Sequence, residues 1–139
     1  MNADIRSLWP DFKFEEVKTA IAVLQEQASE LGNKTKNILV GDIISTEAFD
    51  EKEHQMVLIY QFYIKAPILS NYRVLLFRLL QRNSLYPVDI FFDLNKERFE
   101  KIDEELLYDK LKDIFNNPLT EEIVKSLYAQ SVQLKSSVS

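Results

Sequence analysis

From Met56 to Ile64 the chain alternates: Met56, Leu58, Tyr60, Phe62 and Ile64 put an apolar side chain at every second position. A side-chain period of two marks a strand with one buried face, and it predicts a strand over 55–65. The intervening Val57, Ile59, Gln61, Tyr63 and Lys65 are only half polar, more apolar than a face left to water. The expectation is that a helix or a second subunit lies over Val57, Ile59 and Tyr63. Ala66-Pro67 ends the strand, because proline has no N–H to give to a ladder.

Residues 72–81, YRVLLFRLLQ, fit two patterns. As a helix, Tyr72, Leu75, Leu76, Leu79 and Leu80 share one side. As a strand the run is apolar on both faces, with Arg73 and Arg78 on opposite sides. The short link from Arg82 to Leu85 suits a hairpin return, so the strand is preferred. A helix over 70–82, giving a βαβ crossover, is the alternative. Next comes a strand over 87–94, with Val88, Ile90, Phe92 and Leu94 on one face and Asp89, Phe91 and Asp93 on the other. Residues 38–46, ILVGDIIST, are β-branched and read as a strand. Within it Gly41 marks a bulge or a close approach of another backbone. Lys96 to Ile102 reads either as a short extra strand or as an approach to the next helix.

The flanks carry the helical period. Phe14, Val17, Ile21, Leu24, Ala28 and Leu31 recur at steps of three and four, predicting a long helix over 13–31. Asp11 is its expected cap and Gly32-Asn33 its expected end. Asp103 caps a helix over 104–115, and Thr120 caps a last one over 121–134. The sum is an α+β protein: one N-terminal helix, an antiparallel sheet of about four strands (38–46, 55–65, 72–81, 87–94) and two C-terminal helices. At 139 residues this is one domain over 1–139, with an N-terminal arm over 1–12 and a frayed tail over 135–139. In the arm, the lone Trp9 ahead of Pro10 reads as a cap on the core rather than a projection toward a partner.

Composition narrows the chemistry more than it selects any. There are no cysteines, one histidine and two glycines. Disulfides, cysteine nucleophiles and thiolate metal sites are therefore excluded, and the glycine-rich phosphate cradles are absent. His54 alone would have to serve as the base of any serine triad, and it sits beside the acidic stretch 47–53. That stretch lacks the DxDxDG frame of a calcium loop, so it reads as a solvated hairpin tip. No cofactor and no metal site is expected. The N-terminus does not look like a signal peptide and no run approaches the ~20 apolar residues of a membrane span. The expectation is a soluble, cytoplasmic protein.

The net charge of −5 is uneven: residues 1–53 carry −5, residues 54–93 carry +2 and residues 94–139 carry −2. An acidic balance disfavours nucleic acid as the main partner. The positive middle holds a basic and aromatic set. Tyr63, Arg73, Arg78, Arg82 and Tyr86 are the candidate partner-binding residues, because Arg and Tyr are enriched at interfaces. These features favour a non-catalytic protein-interaction module: an adaptor, a secretion chaperone, or an immunity- or antitoxin-like factor, pairing as a homodimer through the second sheet face. The alternative is an enzyme or small-ligand binder with an acidic pocket between sheet and helices, using Asp42, Asp89 or Asp93. Its least remote chemistry is that of a metal-dependent nuclease. For that, Asp89, Asp93 and Lys96 loosely resemble the PD-(D/E)xK set but miss its spacing.

Overall fold

The computed structural model describes residues 6–138, apart from the side chain of Val138. The chain is α+β, in the order α1 (Ala20–Lys34), β1 (Val40–Asp50), β2 (Gln55–Ala66), β3 (Tyr72–Gln81), β4 (Val88–Phe92), β5 (Glu97–Ile102), α2 (Glu104–Phe115) and α3 (Pro118–Val138). The strands form one antiparallel meander, β1-β2-β3-β4-β5. Residues 72–81 are a strand, and no crossover exists among the described residues. The fifth strand is the stretch 97–102, one of the two readings open for it.

All three helices lie on one face of the sheet, and the core is between. Phe62 stacks on Phe77 with ring centroids 5.0 Å apart, and Phe115 of α2 packs against both. Around them Leu24, Leu39, Ile64, Leu79, Ile90, Phe92, Leu107, Leu111 and Ile114 are fully buried. The alternation in β2 holds for this face through Phe62 and Ile64. It fails at the far end, where Met56 and Leu58 stand 51% and 39% exposed because no helix reaches them.

The first helix starts at Ala20, not at Lys13. The Thr19 hydroxyl accepts the Ala22 N–H and makes the cap, and Asp11 lies in an irregular stretch well before it. Phe14 and Val17, expected in the buried stripe, are exposed at 88% and 42%. Periodicity without a surface to pack against does not sustain a helix. At the other end α1 runs through Gly32 to Lys34. The turn is then made by Lys36 and Asn37, with φ of 52° and 64°, and Asn37 Oδ1 sits 2.8 Å from where a Gly32 Cβ would be. Thr35 joins α1 to β1: its hydroxyl lies 2.8 Å from the Leu31 carbonyl and 2.9 Å from that of Leu39, and it accepts the Leu39 N–H.

Gly41 is the close approach, not a bulge. A Cβ there would stand 2.5 Å from Ala28 Cα, so α1 rests directly on β1. The bulge is in β3. Phe62 pairs with Phe77 but Tyr63 pairs with Leu75, which leaves Leu76 as the extra residue. One added residue reverses the side-chain parity of everything beyond it. Arg73 and Arg78, expected on opposite faces, therefore share the same one.

Other boundaries moved as well: β1 begins at Val40, not residue 38, and β4 spans only Val88–Phe92 of the predicted 87–94. β1 runs to Asp50, so the acidic tip shrinks to residues 51–54. The last helix begins at Pro118, where Asn117 Oδ1 accepts the Leu119 N–H. Thr120 is inside it, buried, with its hydroxyl donating to the Ile114 carbonyl at 2.7 Å. That helix continues to Val138, through residues expected to fray.

Candidate functional site

Three surfaces carry the side chains with chemistry, and the first is the sheet face away from the helices. Register places Asp42, Tyr63, Leu75 and Arg73 there at one end, and Ile44, Gln61, Arg78 and Phe91 in the middle. Asp50, Ile59, Leu80, Asp89 and Arg82 occupy the other end. Each arginine is engaged within the molecule. The Arg73 guanidinium lies 4.4 Å from the Tyr63 ring centroid and 3.5 Å from Asp42. Arg78 lies 4.6 Å from the Phe91 centroid and 2.9 Å from Asp93. Arg82 bridges Asp89 at 3.0 Å and Asp50 at 3.6 Å, and Arg98 reaches Asp89 at 3.5 Å.

The face is thus roofed by its own guanidinium groups, not by a helix. Planar guanidinium covers aromatic and aliphatic surface while keeping its charge paired. That accounts for the apolar character of Ile44, Ile59 and Leu80, which are half-buried. Asp89 is the node. Burial raises its pKa, but the Lys101 N–H, then Arg82 and Arg98, outweigh burial and hold the carboxyl below its ordinary value. Asp93 goes the other way: burial exceeds what Arg78 gives back, and its pKa is raised. Arg82 is held charged by Asp89 and Asp50 against the cost of its own burial.

Of the five candidate partner-binding residues, Tyr63, Arg73, Arg78 and Arg82 come together on this face and Tyr86 does not. Tyr86 lies in the β3–β4 link, where its hydroxyl donates to the Lys18 carbonyl at 2.8 Å and anchors the segment ahead of α1. Burial first, then Glu104 and Tyr108, raise its pKa and keep it a donor. Asp42, Asp89 and Asp93 each bind arginine on the open face. None of them lines the space between sheet and helices. His54 is an exposed turn residue. Among the described residues no three His, Cys, Asp or Glu side chains are grouped to hold a metal ion.

The second surface is a cleft of 510 Å³ between the sheet and the three helices. Phe62, Ile64, Leu76 and Phe115 form its floor. Its lips carry Glu30 and Lys34 on α1 and Asp109 and Lys112 on α2. None of these four charges is in an ion pair among the described residues. The opening volume is within the range of about 300–1,000 Å³ typical of ligand pockets.

The third is the segment 6–18, which runs irregularly with its apolar side chains outward. Leu8 is 91% exposed, Trp9 77% and Phe12 55%. The rings touch in series, Trp9 to Phe12 at 6.2 Å and Phe12 to Phe14 at 5.9 Å. Trp9 therefore caps no core. The signal for this surface was in the sequence as LWPDFKF, where aromatic and charged residues alternate. The helical period running on from Ile21 masked it. The cleft left no such signal, because its lining is drawn from five elements.

Fold and surfaces together define a small α+β protein with a meander sheet, covered by helices on one side and by its own ion pairs on the other. No protein-family model, curated protein or solved structure matches the chain. No helix among the described residues is long and apolar enough to cross a membrane.

Proposed function

We propose that this chain is a non-catalytic protein-interaction module that binds through its aromatic arm and the end of the β1–β2 hairpin. The observation that carries the reading is the arm: Leu8, Trp9, Phe12 and Phe14 are turned to solvent as one contiguous set. Apolar patches of this size on a monomer mark interaction sites, and aromatic residues are the usual anchors of interfaces. Phe49, Met56 and Leu58 add an exposed apolar patch on the hairpin end. The arm leaves the body from the same end of the sheet, since Tyr86 follows the strand whose Gln81 pairs with Leu58.

A protein partner fits better than nucleic acid, because the arginines of the sheet face are already neutralised by Asp42, Asp50, Asp89 and Asp93. The basic and aromatic sheet face is accordingly a stabilising roof, and its arginines are not the primary contact. With this reading goes a soluble, cytoplasmic protein in an adaptor, chaperone or immunity-type role.

The test is the size of the native assembly in extracts of the source cell. The chain should elute well above its own 16.3 kDa, and a Trp9→Ser/Phe14→Ser double variant should return to the monomer position with unchanged circular dichroism. A wild-type chain that elutes as a monomer would remove the reading.

A further inference from the structure

We infer that the partner of the arm is a second copy of this chain: two protomers exchange arms, and each seats its aromatic ladder in the other's helix-side cleft. The inference rests on the interaction reading above and names its partner. It joins two surfaces that are both unsatisfied in the single chain. The arm has an aromatic ladder and no bed, since none of residues 6–18 lines the cleft. The cleft has a bed of Phe62, Ile64, Leu76 and Phe115, and nothing among the described residues fills it.

Size, reach and charge agree. A cleft of 510 Å³ has room for two aromatic rings. From its anchor at Lys18 to Trp9 the arm spans roughly 30 Å when extended, enough to cross to a neighbouring molecule. At the exposures found, Trp9, Phe12 and Phe14 offer roughly 450 Å² of apolar surface, taking aromatic residues at about 150–250 Å² each. With the cleft walls they cover, each protomer approaches the ~800 Å² per partner of a standard interface.

In the arm, charged Asp11, Lys13 and Glu15 alternate with Phe12 and Phe14, so extended backbone there separates these two rings from the charges, while Trp9 has the charges' parity and joins the ladder by its contact with Phe12. The three charges make no ion pair among the described residues, and neither do Glu30, Lys34, Asp109 and Lys112 on the lips. Both signs stand on each lip and both stand on the arm, so a seated arm lies among charges of either sign that its own charges can pair with. A two-fold exchange satisfies both clefts at once and closes, leaving no free arm to propagate.

The experiment is sedimentation of the purified full chain across a concentration series, read beside the emission of its single tryptophan. Dimer should form in the micromolar range, and Trp9 emission should move to shorter wavelength in step with dimer content. Trp9→Ser/Phe14→Ser, which removes the ladder, and Gln27→Phe, which fills the mouth from a half-exposed position on α1, should each raise the dissociation constant tenfold or more. Mixing the two variants should restore dimer carrying one seated arm, an outcome that simple misfolding of either does not produce.

A pure protein that stays monomeric at high micromolar concentration overturns the inference. If that protein still runs in a larger assembly in cell extracts, the interaction reading stands with a different partner; if it is monomeric there too, both fall. A dimer whose Trp9 emission does not shift, or a monomer stabilised by small apolar acids in the cleft, also overturns it.

Discussion

Asp89 shows how much of this fold depends on single polar residues. Its carboxylate accepts the Lys101 N–H at 3.0 Å and holds two arginines, tying β3, β4 and β5 together on the open face. Asp89→Asn keeps an acceptor but loses the charge, and should cost about 2–3 kcal/mol in urea unfolding at neutral pH. The sign with pH follows from its depressed pKa. The stabilisation is whole above the ordinary carboxyl value near 3.9 and is lost as pH falls through the lower folded value. The gap between wild type and variant should therefore close only in strong acid. Asp93 has the opposite sign: its raised pKa means that its charge costs stability at neutral pH, and that cost disappears on acidification. Ser131 is a liability of another kind, fully buried with its hydroxyl unpartnered among the described residues. Ser131→Ala should raise the unfolding free energy by about 1 kcal/mol, checked by thermal melting.

At the scale of elements, packing decides what periodicity proposes. The three-and-four spacing continues back to Phe14, yet the helix starts where Thr19 caps it and where Ala20, Val23 and Leu24 find the sheet. Thr19→Ala should cost about 1 kcal/mol, whereas Asp11→Ala, at the cap expected from sequence, should change stability negligibly. Amide exchange should find residues 13–18 unprotected and the interior of α1 protected. The α1–β1 contact is equally specific. Gly41→Ala drives a methyl to 2.5 Å from Ala28 Cα and 2.6 Å from its Cβ, atoms that cannot swing aside, and should destabilise by about 1–3 kcal/mol.

The β3 bulge is the element that sequence alternation could not supply. Leu76 looks like any other apolar residue in YRVLLFRLLQ, but its insertion aligns Arg73 with Arg78 and so builds the guanidinium roof. Tyr63, Arg78 and Arg82 share the face by simple alternation, and Arg73 joins them only because of the bulge. The fifth, Tyr86, was singled out for its type, and its position in a link gave no hint that it anchors residue 18.

For the whole molecule, the arm and the body have separate roles. The arm is tied on by the Tyr86 hydroxyl at Lys18 and by the exposed Lys18–Glu26 pair. Deleting residues 1–17 should leave the melting temperature of the monomer within a few degrees of wild type. In contrast, Phe77→Ala, which opens the stacked centre of the core, should cost about 3–5 kcal/mol. A protein that loses association but not stability when its arm is removed has the arm for binding.

The sequence by itself determined the class of fold and nearly every element. Side-chain period and turn chemistry are local properties: strand 55–65 and the Asp103-capped helix announce themselves without knowledge of their neighbours, whereas 72–81 fits helix and strand alike and is tipped to strand only by the short link after it. Only the tertiary structure decided which face each arginine serves, where the first helix begins and that the arm stays outside. Those outcomes depend on what lies across the gap: a residue slipped into a ladder, a sheet end that no helix reaches, and a cleft walled by segments far apart in the chain.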